Sequence, residues 1–281
     1  MQKILLPRGE ALPKLGLGTW YMGESPTRFE QEVSAVQYAI DQGIKLIDTA
    51  EMYANGGAER VVGAAIENCG SIVREDLFII SKVLPSNAHY DGVVEACDRS
   101  LQRLGVPFID LYLLHWPGAV PFQETVNAFN FLISAGKIRY FGISNFDLNN
   151  LEDWCDCNGG SAFATNQVLY NLSRRGVEWD VIPRCRNLGV PVMAYSPLEQ
   201  GRLGGDLILS QIAARHDVTP LQIALAWVLS QKNVIAIPKS VNREHIDQNI
   251  AALNITLDPE DHAQLDIAFP PPTGPSALEI L

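Results

Sequence analysis

Basic residues, cysteines and long apolar runs are all scarce in this sequence. Its 21 Lys and Arg stand against 32 Asp and Glu, a formal net charge of −11, which excludes the basic surface needed for nucleic acid or an anionic membrane. The five cysteines, among them Cys69, are odd in number, and the N-terminal apolar run is too short for a signal peptide. No stretch approaches the roughly 18 apolar residues of a transmembrane helix. We therefore expect a cytoplasmic protein without nucleic-acid or membrane partners.

Motifs for metal binding and for a Rossmann nucleotide fold are also missing. The five histidines form no His-x-His or His-Glu-x-x-His pattern, and we interpret the Cys155-x-Cys157 pair as structural. The string closest to Gly-x-Gly-x-x-Gly, residues 16–21, lacks the third glycine. The sequence therefore predicts no metal dependence and no Rossmann site.

What the chain contains is one repeated alternation of short apolar runs with amphipathic stretches. Eight runs lack polar alternation, which is typical of strands covered on both faces in a parallel sheet. They are LGLG (15–18), IKLID (44–48), LFIISK (77–82), IDLYLLH (109–115), RYFGIS (139–144), ATNQV (164–168), PVMAY (191–195) and VIAIP (234–238). Eight strands alternating with helices favour an α/β fold, a closed (β/α)8 TIM barrel forming one domain over residues 1–281, over an open doubly wound sheet.

Helix-start signals lie between these runs. Thr27 and Glu30 form a capping-box pattern, and Asp91 precedes a second apolar periodicity. Thr219 and Gln222 form another capping box, with a proline at the first helical position between them. We therefore expect helices to begin at all three places.

Three segments lie outside the repeat. Residues 4–13 predict an N-terminal β-hairpin that could close the floor of the barrel, and residues 258–269 predict an appended C-terminal helix. The tail that follows is too rich in proline to begin as a helix. The longest interval between strands, residues 196–233, carries a glycine-rich loop and a further helical stretch.

Polar side chains end nearly every predicted strand, and the carboxyl ends of barrel strands meet at the mouth where catalysis is found. Asp48, Lys82 and His115 end three of the apolar runs. Singly, they could be a turn cap, a snorkelling lysine and a loop histidine. Tyr53 is close enough in sequence to bend back over the strand end, and its alternative role is a half-buried aromatic. Because an ammonium favours the phenolate, we expect Lys82, held charged by Asp48, to make Tyr53 a better proton donor.

These four residues resemble the catalytic tetrad of the aldo-keto reductases. The strings LGLGTW, LIDTAEMY, DLYLLHWP, KIRYFGISNF, NQVLYN, AYSPL and IPKSVNREHIDQN are also similar to that family, in order over about residues 3–270. The resemblance, which is to short-loop bacterial members such as methylglyoxal and aldehyde reductases, implies that Tyr53 protonates a carbonyl oxygen. It further implies that His115 orients the carbonyl while Lys82 and Asp48 tune Tyr53. His115 favours carbonyl reduction, because relatives that reduce carbon–carbon double bonds lack this histidine.

The hydride for such a reduction must come from a cofactor, since no side chain supplies one. The resemblance implies a nicotinamide dinucleotide extended across the barrel mouth, with its ring on Tyr195, its pyrophosphate under a glycine-containing loop and a phosphate at the start of the last barrel helix. Ordinary strand-end and helix capping is the alternative role of the polar members. The predicted cofactor contacts are Thr19, Trp20, Ser144, Asn145, Gln167, Tyr195, Ser196, Pro197, Leu198, Lys239, Ser240, Val241, Asn242, His245, Gln248 and Asn249.

One of these positions departs from the family pattern. His245 stands where relatives commonly carry an arginine that binds the adenosine 2′-phosphate, and Gln248 stands at a commonly acidic position. Histidine is only partly charged near neutral pH and lacks the five-donor fork of arginine. Lys239 and Arg243 are candidates to compensate. We predict NADP(H) as the favoured cofactor and NAD(H) as the alternative.

The resemblance also implies an apolar substrate pocket lined by Trp20, Met52, Leu84 and Trp116, for which core packing is the alternative. The segment after His115 is short, which predicts an open pocket for small aldehydes, 2-oxoaldehydes or ketones. We therefore predict an NADPH-dependent carbonyl reductase. The alternatives are a cofactor-sensing or structural protein without turnover on the same barrel, and an alcohol dehydrogenase that prefers NAD(H). The oligomeric state stays open, and a monomer is compatible with the sequence.

Overall fold

The structure is a computed structural model that describes residues 3–67 and 74–281, so Cys69 lies outside the described residues. It begins with the predicted hairpin, in which β1 (Lys3–Leu5) pairs antiparallel with β2 (Ala11–Pro13). Eight parallel strands then form one sheet in chain order. They are β3 (Leu17–Gly18), β4 (Leu46–Asp48), β5 (Phe78–Val83), β6 (Ile109–Leu114), β7 (Ile138–Ser144), β8 (Asn166–Leu169), β9 (Val192–Tyr195) and β10 (Val234–Ala236). Each overlaps one of the eight predicted runs.

The two edge strands of this sheet, β3 and β10, approach each other. Isolated parallel bridges join Leu15 to Ala236 and Gly18 to Lys239. Glycine is required at 18 for this approach, because a Cβ there would lie 2.8 Å from the Ile237 carbonyl oxygen. The LGLG run therefore has its small residue where the backbone of the last strand comes closest.

Helices follow the strands and cover their outer faces. The α-helices of the described residues are α1 (Phe29–Asp41), α2 (Gly57–Glu67), α3 (Tyr90–Leu104), α4 (Phe122–Ser134), α5 (Leu148–Asp156), α6 (Val181–Asn187), α7 (Leu207–His216), α8 (Pro220–Ser230), α9 (Arg243–Ala251) and α10 (Pro259–Ala268). The last is the appended helix predicted for residues 258–269. Within residues 3–67 and 74–281, no helix combines the length and apolarity that crossing a membrane requires.

The helix caps agree with the sequence prediction at one of the three positions. Thr219 and Gln222 form the capping box at the start of α8. The predicted cap at Thr27 is wrong, because Pro26 begins a 3-10 turn ahead of α1 and the Thr27 hydroxyl instead pairs with Ser25. The predicted start at Asp91 is also displaced: α3 begins at Tyr90, and a histidine at position 89 accepts the capping hydrogen bond.

The polar residues at the strand ends lie on the inner face of the sheet, because side chains alternate between the two faces along each strand. Successive residues of a strand point to opposite faces, and one alternating set forms an inner apolar cluster with the hairpin. That cluster contains Ile4, Leu6, Leu12, Leu46, Phe78, Ile80, Leu111, Leu113, Ala164, Met193, Ile235 and Ile237. Two residues beyond Leu46, Ile80 and Leu113 stand Asp48, Lys82 and His115. The alternation that builds the core therefore also brings these three groups to one end of it.

Candidate active site

Lys82 is the centre of a buried hydrogen-bonded group at the carboxyl end of the strands. Its side chain is completely buried, and its Nζ donates to Asp48 Oδ2 at 2.7 Å, to the Thr49 carbonyl oxygen at 2.9 Å and to Tyr53 Oη at 3.1 Å. These three acceptors use all three ammonium protons. The second Asp48 oxygen accepts from Gln167 Nε2 at 2.8 Å. The buried charges are therefore paired and hydrogen-bonded, which burial demands.

The pKa values of Lys82 and Tyr53 depend on burial and on the neighbouring charges. Burial by itself would lower the pKa of Lys82, but Asp48 and Tyr53 outweigh it and raise the pKa above its usual value. Burial raises the pKa of Tyr53, and Lys82 only partly offsets that effect. Lys82 thus favours the phenolate, as the sequence predicts. The net direction of the Tyr53 shift is the opposite of the prediction, because desolvation is the larger contribution.

Tyr53 reaches Lys82 because the chain turns sharply after β4. The residue begins a short 3-10 segment, and Ala54 and Asn55 behind it have φ values of 50° and 49°. Left-handed backbone at two successive non-glycine residues costs energy, and such strain persists where the surrounding structure holds it. The phenol therefore folds back over the strand end.

His115 lies beside the phenol and is uncharged. Its ring meets that of Tyr53 edge to face, with centroids 5.7 Å apart. Burial, with a smaller contribution from Lys82, lowers the pKa of His115 to about 2. Its Nδ1 atom has no hydrogen-bond partner in the described chain, whereas its backbone carbonyl accepts from Asn145 Nδ2 at 3.0 Å. A neutral imidazole can donate one hydrogen bond to a substrate oxygen without taking up a proton.

Two cavities adjoin at Tyr53. The larger, the groove, has a volume of 420 Å³, and the smaller, the substrate cavity, has a volume of 310 Å³; Trp20, Tyr53 and Tyr195 line both. The substrate cavity is otherwise lined by Met52, His115, Trp116, Ser144, Asn145, Gln167, Ile280 and Leu281. The Tyr53 phenol therefore lies in the wall that the groove shares with the substrate cavity.

Most of the predicted cofactor residues line the groove. Those found there are Thr19, Trp20, Tyr195, Ser196, Pro197, Leu198, Lys239, Ser240, His245, Gln248 and Asn249. Ser144, Asn145 and Gln167 instead line the substrate cavity. They are linked to one another and to Tyr195: the Ser144 hydroxyl donates to the Gln167 carbonyl oxygen at 2.9 Å, and Tyr195 Oη donates to Asn145 Oδ1 at 2.9 Å. The carboxamide contacts predicted for these three residues stay a prediction, since the residues line the substrate cavity and not the groove.

Val241 and Asn242 are not among the groove residues. They line a separate hollow against α1 together with Arg243. Asn242 is the N-cap of α9, and its side chain accepts from the amides of residues 244 and 245, so it is turned into the helix. The Arg243 guanidinium lies over the Tyr38 ring, 5.0 Å from its centroid. Arg243 is therefore placed away from the groove, and Lys239 and His245 are the basic side chains that line it.

Leu84 lines neither cavity, contrary to the prediction. The strand ends at Val83 and a 3-10 turn begins at Pro85, so strand alternation no longer directs the side chain inward. The Leu84 amide is bound to Glu51 Oε1 at 2.8 Å. Met52, Trp20 and Trp116 do line the substrate cavity.

The last two residues of the sequence also line the site, although neither was predicted to do so. Ile280 and Leu281 line the substrate cavity together with Tyr195. The available signal was the apolar ending SALEIL behind a proline-rich segment. Apolar residues outside any helix or strand need a surface to cover, and here that surface is the cavity.

Known proteins are similar to this chain in sequence and in fold. Residues 14–269 match the profile of the aldo/keto reductase family. The chain is 46% identical to methylglyoxal reductase YeaE of Escherichia coli, over 100% of this chain and 99% of the relative, and 34% identical to a glyoxal reductase of Bacillus subtilis, over 94% and 91%. The fold superposes with a TM-score of 0.95 on an aldo/keto reductase from Klebsiella pneumoniae solved with NADP and acetate, at 44% identity and 99% coverage of both chains. The chain belongs to the aldo/keto reductase family and is an NAD(P)H-dependent oxidoreductase.

Proposed function

We propose that this protein reduces small aldehydes and 2-oxoaldehydes with NADPH, and that Tyr53 is the proton donor. The observation that carries the proposal is the 3.1 Å contact between Tyr53 Oη and Lys82 Nζ in the wall shared by the groove and the substrate cavity. A proton donor at that position would lie beside a carbonyl held in the cavity and next to a cofactor ring held in the groove.

We also propose that the scaffold is a single domain, a closed (β/α)8 barrel. The bridges from Leu15 to Ala236 and from Gly18 to Lys239 support closure, because they join the two edge strands of the eight. The inner apolar cluster that contains residues of the hairpin and of most strands supports one common core. Catalysis at the carboxyl ends of the strands is the usual arrangement in such barrels.

The groove fits an extended dinucleotide. Tyr195 lines both the groove and the cavity, and Lys239, Ser240 and His245 line only the groove, where they offer donors for a phosphate. The similar Klebsiella protein was solved with NADP, which favours the phosphorylated cofactor here. Burial raises the pKa of Tyr195 to about 12, so its hydroxyl stays protonated and keeps its bond to Asn145. When bound, the cofactor would supply a hydride to the carbonyl carbon.

The chain's own residues would complete the reduction by supplying a proton to the carbonyl oxygen. Tyr53 would break its O–H bond as the new O–H bond forms on the substrate, which leaves an alcohol and a phenolate. The Lys82 ammonium, held charged by Asp48, would stabilise that phenolate. Neutral His115 would donate a hydrogen bond to the same oxygen and so fix the carbonyl beside Tyr53.

The shape of the substrate cavity supports small and largely apolar carbonyl compounds. Trp20, Met52 and Trp116 form apolar walls, joined by Ile280 and Leu281. The relatives named for methylglyoxal and glyoxal reduction act on small dicarbonyl compounds by name. We therefore place methylglyoxal and simple aldehydes first among the substrates to test.

The Tyr53→Phe variant tests the proposal. We expect NADPH to quench tryptophan fluorescence with an unchanged Kd, because the ring is kept, while turnover of methylglyoxal falls by about 10²- to 10⁴-fold, the usual contribution of a positioned acid. A Tyr90→Phe variant is the matched control, because Tyr90 is half exposed at the start of α3. Retained turnover in Tyr53→Phe would remove the phenol from the mechanism, and absence of NADPH binding by the wild type would refute the function itself.

A further inference from the structure

One arginine joins the loop beside the groove to the tail beside the substrate cavity. Arg174 lies after β8, and its Nη2 donates to Glu199 Oε1 at 3.0 Å while its Nη1 donates to Glu279 Oε1 at 2.5 Å. Glu199 follows Pro197 and Leu198, which line the groove, and Glu279 precedes Ile280 and Leu281, which line the cavity. The same guanidinium therefore binds one residue next to the groove lining and one residue next to the cavity lining.

Glu199 lies within the groove loop, residues 196–201, and its side chain helps to hold the shape of that loop. It is 5% exposed, and its Oε2 accepts from Asn171 Nδ2 at 2.8 Å while Arg202 contacts Oε1 at 3.2 Å. Asn171 Nδ2 also donates to the Ser196 carbonyl oxygen at 2.9 Å. The backbone at Glu199 and Gln200 is left-handed, with φ of 48° and 56°. A strained loop keeps this shape only while its surroundings hold it, and here these side-chain bonds do so.

The tail has fewer bonds that hold its last residues in place. Residues 269–281 form no helix or strand, and Ser276 packs against Gly176, whose Cβ would lie 2.6 Å from the serine hydroxyl. Beyond that point, Leu278 packs against the apolar core, Glu279 pairs with Arg174, and Ile280 and Leu281 line the substrate cavity. Glu279 is 45% exposed, so its pairing depends on how well its partner is fixed.

We propose that Arg174 is a positioning residue that couples cofactor binding to the substrate cavity. A ligand in the groove holds residues 196–201 and with them Glu199, and Glu199 fixes the guanidinium. A fixed guanidinium loses less side-chain freedom when it pairs with Glu279, so Ile280 and Leu281 are held more firmly against the cavity. By reciprocity, a substrate that packs on these two residues strengthens cofactor binding by the same factor. This inference rests on the proposed function.

Three variants test it, each in the full-length protein. Glu279→Gln removes the tail end of the link, and Arg174→Gln removes its centre. Glu152→Gln is the matched control, because Glu152 pairs with Arg184 at 2.7 Å with exposures of 45% and 34%, close to those of Glu279 and Arg174 at 45% and 35%. The measurements are hydrogen exchange of a peptide covering residues 270–281 with and without NADPH, the Kd of NADPH from tryptophan fluorescence, and kcat and KM for methylglyoxal.

We expect NADPH to slow exchange of the tail in the wild type and in Glu152→Gln, but not in Glu279→Gln or Arg174→Gln. Glu279→Gln should raise KM about two- to fivefold, as an exposed ion pair allows, with kcat and the Kd of NADPH in the absence of substrate both within about twofold of wild type. Arg174→Gln should also weaken NADPH binding, because it touches Glu199. A purely structural role would lower stability without this separation of KM from kcat.

The outcomes separate the two proposals. If wild-type NADPH binding slows no exchange in the tail, or if Glu279→Gln behaves like Glu152→Gln, the coupling through Arg174 is refuted while the reductase function stands. If NADPH does not bind the wild type, the proposed function and the coupling fall together.

Discussion

Lys82 is a buried charge whose hydrogen bonds are all made to groups of the protein. Its side chain is not exposed to solvent, and its ammonium group donates one hydrogen bond to each of three different acceptors. Removing one partner of such a buried pair leaves an uncompensated charge, which typically costs about 3–5 kcal/mol. Asp48 is therefore needed for stability as well as for the charge state of the lysine, and substitutions at either residue affect both.

The neutral state of His115 gives the protein a measurable pH dependence of stability. Its folded pKa of about 2 lies far below the value near 6.5 of an unfolded chain. Between these values the unfolded chain binds a proton that the folded protein does not, so stability present above pH 6.5 is lost as the pH falls. Between pH 7 and pH 5 this one histidine should remove about 2 kcal/mol.

Urea unfolding at pH 7 and pH 5 checks this value. The His115→Gln variant should lose about 2 kcal/mol less than the wild type over that interval, because glutamine takes up no proton. Equal losses in wild type and His115→Gln would mean that the imidazole is not desolvated as described.

At this scale the sequence predicts positions better than environments. Asp48, Lys82 and His115 are recognisable because they end apolar runs in the same register, and Tyr53 because it follows at short range. The net rise in the pKa of Tyr53 was not predictable, because it depends on how completely neighbouring segments bury the phenol. For the same reason, the placement of Arg243 over Tyr38 depends on how α9 lies on α1, which no local pattern encodes.

Among the elements, two threonines with similar sequence signals play different roles. Thr219 caps α8 and shares a capping box with Gln222, whereas Thr27 lies inside a 3-10 turn and caps nothing. Thr219→Ala should therefore lower the free energy of unfolding by about 1 kcal/mol, and Thr27→Ala should change it by less than about 0.5 kcal/mol. Denaturant titration of both variants measures the difference, and equal losses would contradict the assigned caps.

Element boundaries show where local signals compete. The capping pattern at Thr27 is sound by itself, but Pro26 one residue earlier favours a tight turn that displaces the helix start to Phe29. Strand alternation gives the right side for residues as far as Lys82 and fails at Leu84, where the chain has already left the strand. The tail carries no periodic signal, so its contact with the cavity follows only from tertiary structure.

For the whole molecule, cofactor preference is visible as a difference in thermal stability. A ligand at 100 times its Kd stabilises the folded protein by about 2.7 kcal/mol. At equal concentrations NADPH should raise the Tm more than NADH, because Lys239, Ser240 and His245 offer donors to the additional phosphate. In Lys239→Met the two shifts should converge. A larger shift with NADH in the wild type would identify NADH as the preferred cofactor.

The eight strands were predictable in number and order because each is a run of strand length without polar alternation, and runs of this kind are buried on both faces. A closed barrel predicts that the first and last strands meet, but the residues that join them were not predictable, since they lie more than 200 positions apart in the chain. The hairpin residues Ile4, Leu6 and Leu12 pack into the inner cluster below the tetrad. They pack on the inner apolar cluster and contribute no side chain to the groove or to the substrate cavity. Substitutions at these three residues should therefore lower the Tm of the protein and leave the kcat of the folded molecules unchanged.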